Sequence, residues 1–117
     1  MFSRPRFARP KRRLLAFVIL FDVFLTSAYA KPPSVIYAGG DGSSFEKAIV
    51  VKAPNEVTGV AAEYAYLAKR YPGYRRNAQH LFHRKGKSFD VLDVTTRDKK
   101  KRVFYFDITP FYGKWGR

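Results

Sequence analysis

Three carboxylates, two histidines and one group of cations are the side chains here with chemistry within reach. Asp93 and Asp107 sit on two segments that read as the arms of one hairpin. Glu63 lies on the long amphipathic segment before them. Carboxylates gathered from such elements can divide the roles of general acid and general base. On a solvated face the same three would only pair with Lys or Arg. His80 and His83 are the only histidines, spaced i, i+3. On one helix both reach a single metal ion, yet a zinc site takes three or four ligands. The chain has no Cys, and no carboxylate nearby in sequence completes a set. No metal and no cofactor is expected. Arg75, Arg76, Arg84 and Lys85 flank the histidines and form the candidate anion-binding face.

Other chemistries are missing their parts. Without Cys there is no thiol nucleophile. Ser43 and Ser44 lie in Gly39-Gly40-Asp41-Gly42-Ser43-Ser44, which is not a nucleophile elbow. That run also lacks the Gly-Lys-Ser/Thr ending of a phosphate loop. Asp41 has no second carboxylate spaced after it for calcium. It reads as a structural turn.

The elements that must position these groups follow from periodicity. From Asn55 to Tyr71, residues Val57, Val60, Ala61, Tyr64, Leu67, Ala68 and Tyr71 repeat at i, i+3, i+4, i+7 and onward. This predicts one amphipathic helix with that stripe toward the core. Asn55 can cap its first amides, Glu56 suits its positive end, and Lys69 and Arg70 suit its last turn. Pro72-Gly73 stops it. Gly59 within it weakens the helix or permits a close backbone approach.

Phe45–Ala53 is too continuously apolar for strict alternation and predicts a strand buried on both faces. Val35–Tyr37 is a candidate edge strand. Arg75–Lys85, with Ala78, Leu81 and Phe82 apolar and Gly86 after it, predicts a second, short helix. Ser88–Thr96 and Arg102–Thr109 alternate and predict an antiparallel hairpin. Phe89, Val91 and Asp93 take one face, Leu92 and Val94 the other; Phe104, Phe106 and Ile108 oppose Val103, Tyr105 and Asp107. The Lys99–Arg102 run at its tip resembles a nucleic-acid patch but also suits a solvated turn. The aromatic tail from Phe111 to Trp115 either tucks over the sheet or stays available to a partner.

The chain opens with a basic stretch, an apolar run from Leu14, and Ala28-Tyr29-Ala30. This pattern predicts a signal peptide, residues 1–30, cut between Ala30 and Lys31. The alternative is an uncleaved anchor, although 17 residues interrupted by Asp22 are short for a span of about 20. Whole-chain net charge is +14, from 23 basic and 9 acidic residues. Without the six leader cations and Asp22, residues 31–117 keep 17 basic and 8 acidic groups, a net +9. A single exported domain without disulfides must rest on its apolar core. Its surplus charge suits an anionic envelope component or an acidic protein, or serves solubility alone.

The succession GGDGSS, FEKAIVVKAPNEVTGVAAEYAYL, RYPG, FDVLDV and RVFYFDITPFYGK resembles a family of small exported bacterial proteins of unknown function. The likeness spans Tyr37 to Lys114. It implies a small α/β domain behind a signal peptide and transfers no catalytic residue. Such proteins carry glycine in the hairpin turn; Asp98-Lys99-Lys100 has none, which favours a longer loop.

Together these readings predict an α+β two-layer sandwich. A three- to four-stranded, mainly antiparallel sheet carries one long and one short helix behind the leader. The expected function is a non-catalytic binding module with a basic surface in the periplasm or outside the cell. The alternative is a small hydrolase-like enzyme using Glu63, Asp93 and Asp107.

Overall fold

A computed structural model describes residues 34–116. The predicted signal peptide and its Ala30–Lys31 cut site lie outside these residues. Within them the fold is α+β. Six elements follow in order: β1 (Ile36–Gly39), β2 (Ile49–Lys52), α1 (Glu56–Arg70), β3 (Arg75–Arg84), β4 (Lys87–Thr95) and β5 (Lys101–Asp107). The strands form one sheet in the order β1-β2-β5-β4-β3. Only the β2–β5 pairing is parallel. The sheet is thus five-stranded rather than three- or four-stranded and carries one helix rather than two; it is mixed, with every pairing but one antiparallel as expected. No helix among the described residues is long and apolar enough to cross a membrane.

The predicted short helix is strand β3. Its Gly86 is not a helix cap but half of a two-residue turn, Lys85-Gly86, with φ of 52° and 76°. Two left-handed residues in succession match the right-handed twist of paired strands and close a tight hairpin. All of β3 except Asn77, where it bulges, therefore pairs with β4, from Arg75↔Thr95 to Arg84↔Lys87. Ala78, Leu81 and Phe82 fit a helical stripe equally well over so short a run, and the turn decides between them.

The predicted hairpin is present as β4 and β5, paired antiparallel from Phe89↔Asp107 to Thr95↔Lys101. Its loop, Thr96 to Lys100, is longer than two residues, with Lys99 in the left-handed region at φ 68°. Phe45–Ala53 is only partly strand. β2 begins at Ile49, and Phe45 instead crosses the sheet face away from the helix. There its ring meets Phe82, Phe89 and Tyr105 at centroid distances of 5.6, 5.1 and 4.8 Å. The loop before it runs beside β5, where the Tyr105 amide donates to Gly42 O at 2.8 Å.

Helix α1 keeps its predicted ends. Asn55 Oδ1 accepts from the Thr58 amide at 3.0 Å, and the Tyr71 amide closes the last turn on Leu67 O. Its buried arc keeps Leu67 from the predicted stripe, with Val60, Tyr64 and Tyr71 packed against the core, but is turned toward Gly59, Ala62 and Glu63. Gly59, Ala62, Glu63 and Leu67 are buried and Tyr66 is half-buried, whereas Val57 is 76% exposed and Ala61 and Ala68 face water. Val60 and Tyr64 are half-buried. The cause is the tail: a Cβ on Gly59 would overlap the Phe111 ring, which is wholly buried against the helix backbone. The Glu56 amide donates to Lys114 O, and the Gly113 amide donates to the Glu56 carboxylate, both at 2.8 Å. The tail thereby satisfies helix N-terminal groups, while Trp115 stays 75% exposed beside Val57 and Val60.

The core lies between α1 and the inner sheet face. Ile49, Val51, Leu67, Leu92, Val94, Phe104, Phe106, Ile108 and Phe111 fill it. Each large side chain removed from water there contributes about 1.5–3 kcal/mol.

Candidate functional site

Strand alternation assigns every predicted site residue to a face. In β4, Asp90, Leu92 and Val94 face the helix, and in β5 so do Phe104 and Phe106. Asp93 and Asp107 belong to the other face. Glu63 therefore does not meet them, because the sheet stands between. Nor do the other two converge, since Asp107 pairs opposite Phe89 and Asp93 opposite Val103, four positions along β4. Asp107 instead closes the end of β5, accepting from the Thr109 amide and hydroxyl at 3.0 and 2.6 Å, with Lys87 Nζ at 3.9 Å. Asp93 lies 3.7 Å from His80.

The carboxyl that Glu63 meets is Asp90, absent from the predicted set. Glu63 has no exposed surface, and neither of its oxygens has a well-formed hydrogen bond. Burial, then the Asp90 charge and a proton directed toward Asp90, push its carboxyl up to about 9. Asp90 is raised as well, chiefly by burial, although Gln79 Nε2 donates to it at 3.1 Å. Gln79 in turn accepts from the Tyr64 hydroxyl at 2.7 Å. Two buried acids thus share a dry site, an arrangement in which both resist ionising together. No cleft among the described residues that is named below includes either of them. The signal for Asp90 was its even position in β4, beside Leu92 and Val94.

His80 and His83 are three apart on a strand, so they point to opposite faces. His83 Nδ1 lies 3.0 Å from Ser88 Oγ. Among the described residues, no three His, Asp or Glu side chains gather around one point. The four candidate cations separate too. Arg75 and Arg76 open β3; Arg84 and Lys85 end it, roughly 30 Å away at ~3.3 Å per residue. The Arg84 guanidinium lies over the Phe45 ring at 4.3 Å and 3.6 Å from Glu46. Arg76 covers the Tyr64 ring at 4.6 Å.

A different set of cations gathers where the end of α1 meets the β4–β5 loop. Arg70, Tyr71 and Arg102 line a cleft of about 480 Å³ that Asp41 and Ser43 close on one side. The same three residues line a second cleft of about 540 Å³, which extends to Thr96, Arg97 and Asp98. Thr96 and Arg97 lead on to a third, about 310 Å³, at Gly73, Arg75 and Lys99. Through these shared residues the three clefts lie in succession, here called the groove. All five cations along it are exposed, and none lies within 4.0 Å of a carboxylate among the described residues. The Arg70 guanidinium stacks on Tyr66 at 4.8 Å and that of Arg102 on Tyr71 at 5.4 Å. Stacking of this kind fixes the guanidinium plane and leaves its N–H donors free. Of these cations only Arg75 was in the predicted anion face. Arg70 and Arg102 are remote in sequence, and only the packing of α1 on the sheet brings them together.

Comparison of the chain with protein families, with characterised proteins and with solved structures gave no match.

Proposed function

We propose that this chain is an exported, non-catalytic binding module whose ligand is an anionic component of the cell envelope or an acidic protein, held along the Arg70–Arg102–Arg97–Arg75 groove. The observation that carries this reading is the groove itself: exposed guanidiniums, two of them oriented by stacking, with no carboxylate of the described residues within 4.0 Å of them. Guanidiniums in such a state offer planar, paired donors to carboxylate, sulfate or phosphate. Export rests on the leader pattern of residues 1–30. The net positive charge of residues 31–117 adds long-range attraction for the same class of partner.

The test is retention of the full-length chain on immobilised heparin. At low salt it binds, and Arg70→Gln with Arg102→Gln lowers the salt needed for elution. Arg84→Gln with Lys85→Gln removes the same charge from the far end of β3 and leaves elution nearly unchanged. Equal shifts from both pairs would mean that net charge alone is read, and absence of retention at low salt would reject the module.

A further inference from the structure

The geometry points to an acidic polysaccharide as the ligand of this groove: an extended polymer of sugar units with carboxylates or sulfates at intervals and hydroxyls between them. This rests on the anionic-partner reading above and narrows it.

The groove is not uniformly basic. Asp41 lines its first cleft and Asp98 its second, both exposed and neither within 4.0 Å of an arginine. Both are held as carboxylates by their neighbours. The Ser43 hydroxyl and amide donate to Asp41 at 2.7 and 3.0 Å, and the Thr96 hydroxyl donates to Asp98. These bonds keep each acid below the usual carboxylate range. Both Ser43 bonds end on Oδ1 of Asp41, so Oδ2 remains an open acceptor.

A phosphodiester backbone offers almost no donors, so each carboxylate in its track weakens binding. A polysaccharide gains from them, because the hydroxyls on its units donate between its anionic groups. The tyrosines point the same way. Binders of single-stranded nucleic acid offer bare aromatic faces on which bases stack. Here Tyr66 and Tyr71 each have one face taken by an arginine. The rings serve to orient donors. Three clefts in succession suit a chain of linked units better than one small anion.

The experiment compares polygalacturonate with a single-stranded oligonucleotide of similar length, using the full-length chain at one low ionic strength. Leader cations are common to all variants, so differences between variants report the groove. Polygalacturonate binds more tightly, and Arg70→Gln with Arg102→Gln weakens it at least about tenfold, the loss expected for one or two charge-assisted hydrogen bonds. Asp41→Ala with Asp98→Ala weakens polygalacturonate several-fold and tightens the oligonucleotide. Thermal melting verifies that each variant is folded, and Asp41→Asn with Asp98→Asn repeats the comparison with the turns kept. If the acid substitutions tighten both polymers, or change neither, the polysaccharide assignment is overturned. Tighter oligonucleotide binding by the unmodified chain overturns it in favour of nucleic acid. Failure to bind either polymer removes the anionic-partner reading itself.

Discussion

Like charges stand together in two regions of this molecule, and the fold treats them oppositely. Around the groove, five cations stand exposed to water. Between helix and sheet, Glu63 and Asp90 share a site with almost no water. Two charges 4 Å apart repel by about 1 kcal/mol in water and by several times that at a protein's effective dielectric. Ions in solution screen the first case and hardly reach the second. Crowded arginines are therefore tolerable on the surface, while crowded carboxyls in the core must surrender a charge. One region leaves its charges in water; the other holds a proton.

The largest test of that contrast is Phe111→Ala. If the dry region carries the fold, removing the ring that fills the space above Gly59 destabilises the protein by about 3–5 kcal/mol in urea titration. An effect below about 1 kcal/mol would mean that the tail is not part of the core.

Next in size is the proton. Glu63 titrates at about 9 when folded, against 4.5 as its ordinary value. The folded state then holds one more proton than the unfolded state between these values. Its stabilising contribution is complete below about 4.5 and is lost as pH rises toward 9, at about 1.4 kcal/mol per unit. Asp90 is raised and acts with the same sign; Asp41 and Asp98 are lowered and act only in acid. Glu63→Gln should gain about 2–3 kcal/mol at pH 7 and flatten the decline from pH 5 to pH 9 in denaturant titrations. A variant with the same slope as the unmodified protein would locate the proton elsewhere.

The smallest effect is expected at the groove. Neutralising Arg70 and Arg102 together should change stability by no more than about 0.5 kcal/mol, read as a nearly constant melting temperature. A loss of about 2 kcal/mol or more would show that these arginines hold the fold, and the two regions would no longer differ in kind.

Local pattern accounts for a definite part of this molecule. The β4–β5 hairpin, its two faces and the ends of α1 follow from alternation, from Asn55 and from Pro72-Gly73. Each of these depends on residues a few positions apart. Strand β3 fits a helix as well as a strand from its sequence, because ten residues with three apolar side chains satisfy either period.

The rotation of α1 was only partly legible. The predicted stripe holds Leu67, which is buried, and Val60, Tyr64 and Tyr71, which pack half-buried on the core, but hydrophobicity alone prefers Val57 and Ala61 to Gly59 and Ala62. What selects the latter is Phe111, about fifty residues away, which needs a helix face without a side chain. The same long-range packing draws Glu63 under Asp90 and separates it from Asp93 and Asp107. It also sets Arg70 beside Arg102. Sequence thus determined which segments are periodic and where they stop, since those are short-range steric and hydrogen-bonding preferences. Tertiary structure decided which face each segment buries and which charges become neighbours, since that depends on shape complementarity between parts distant in the chain.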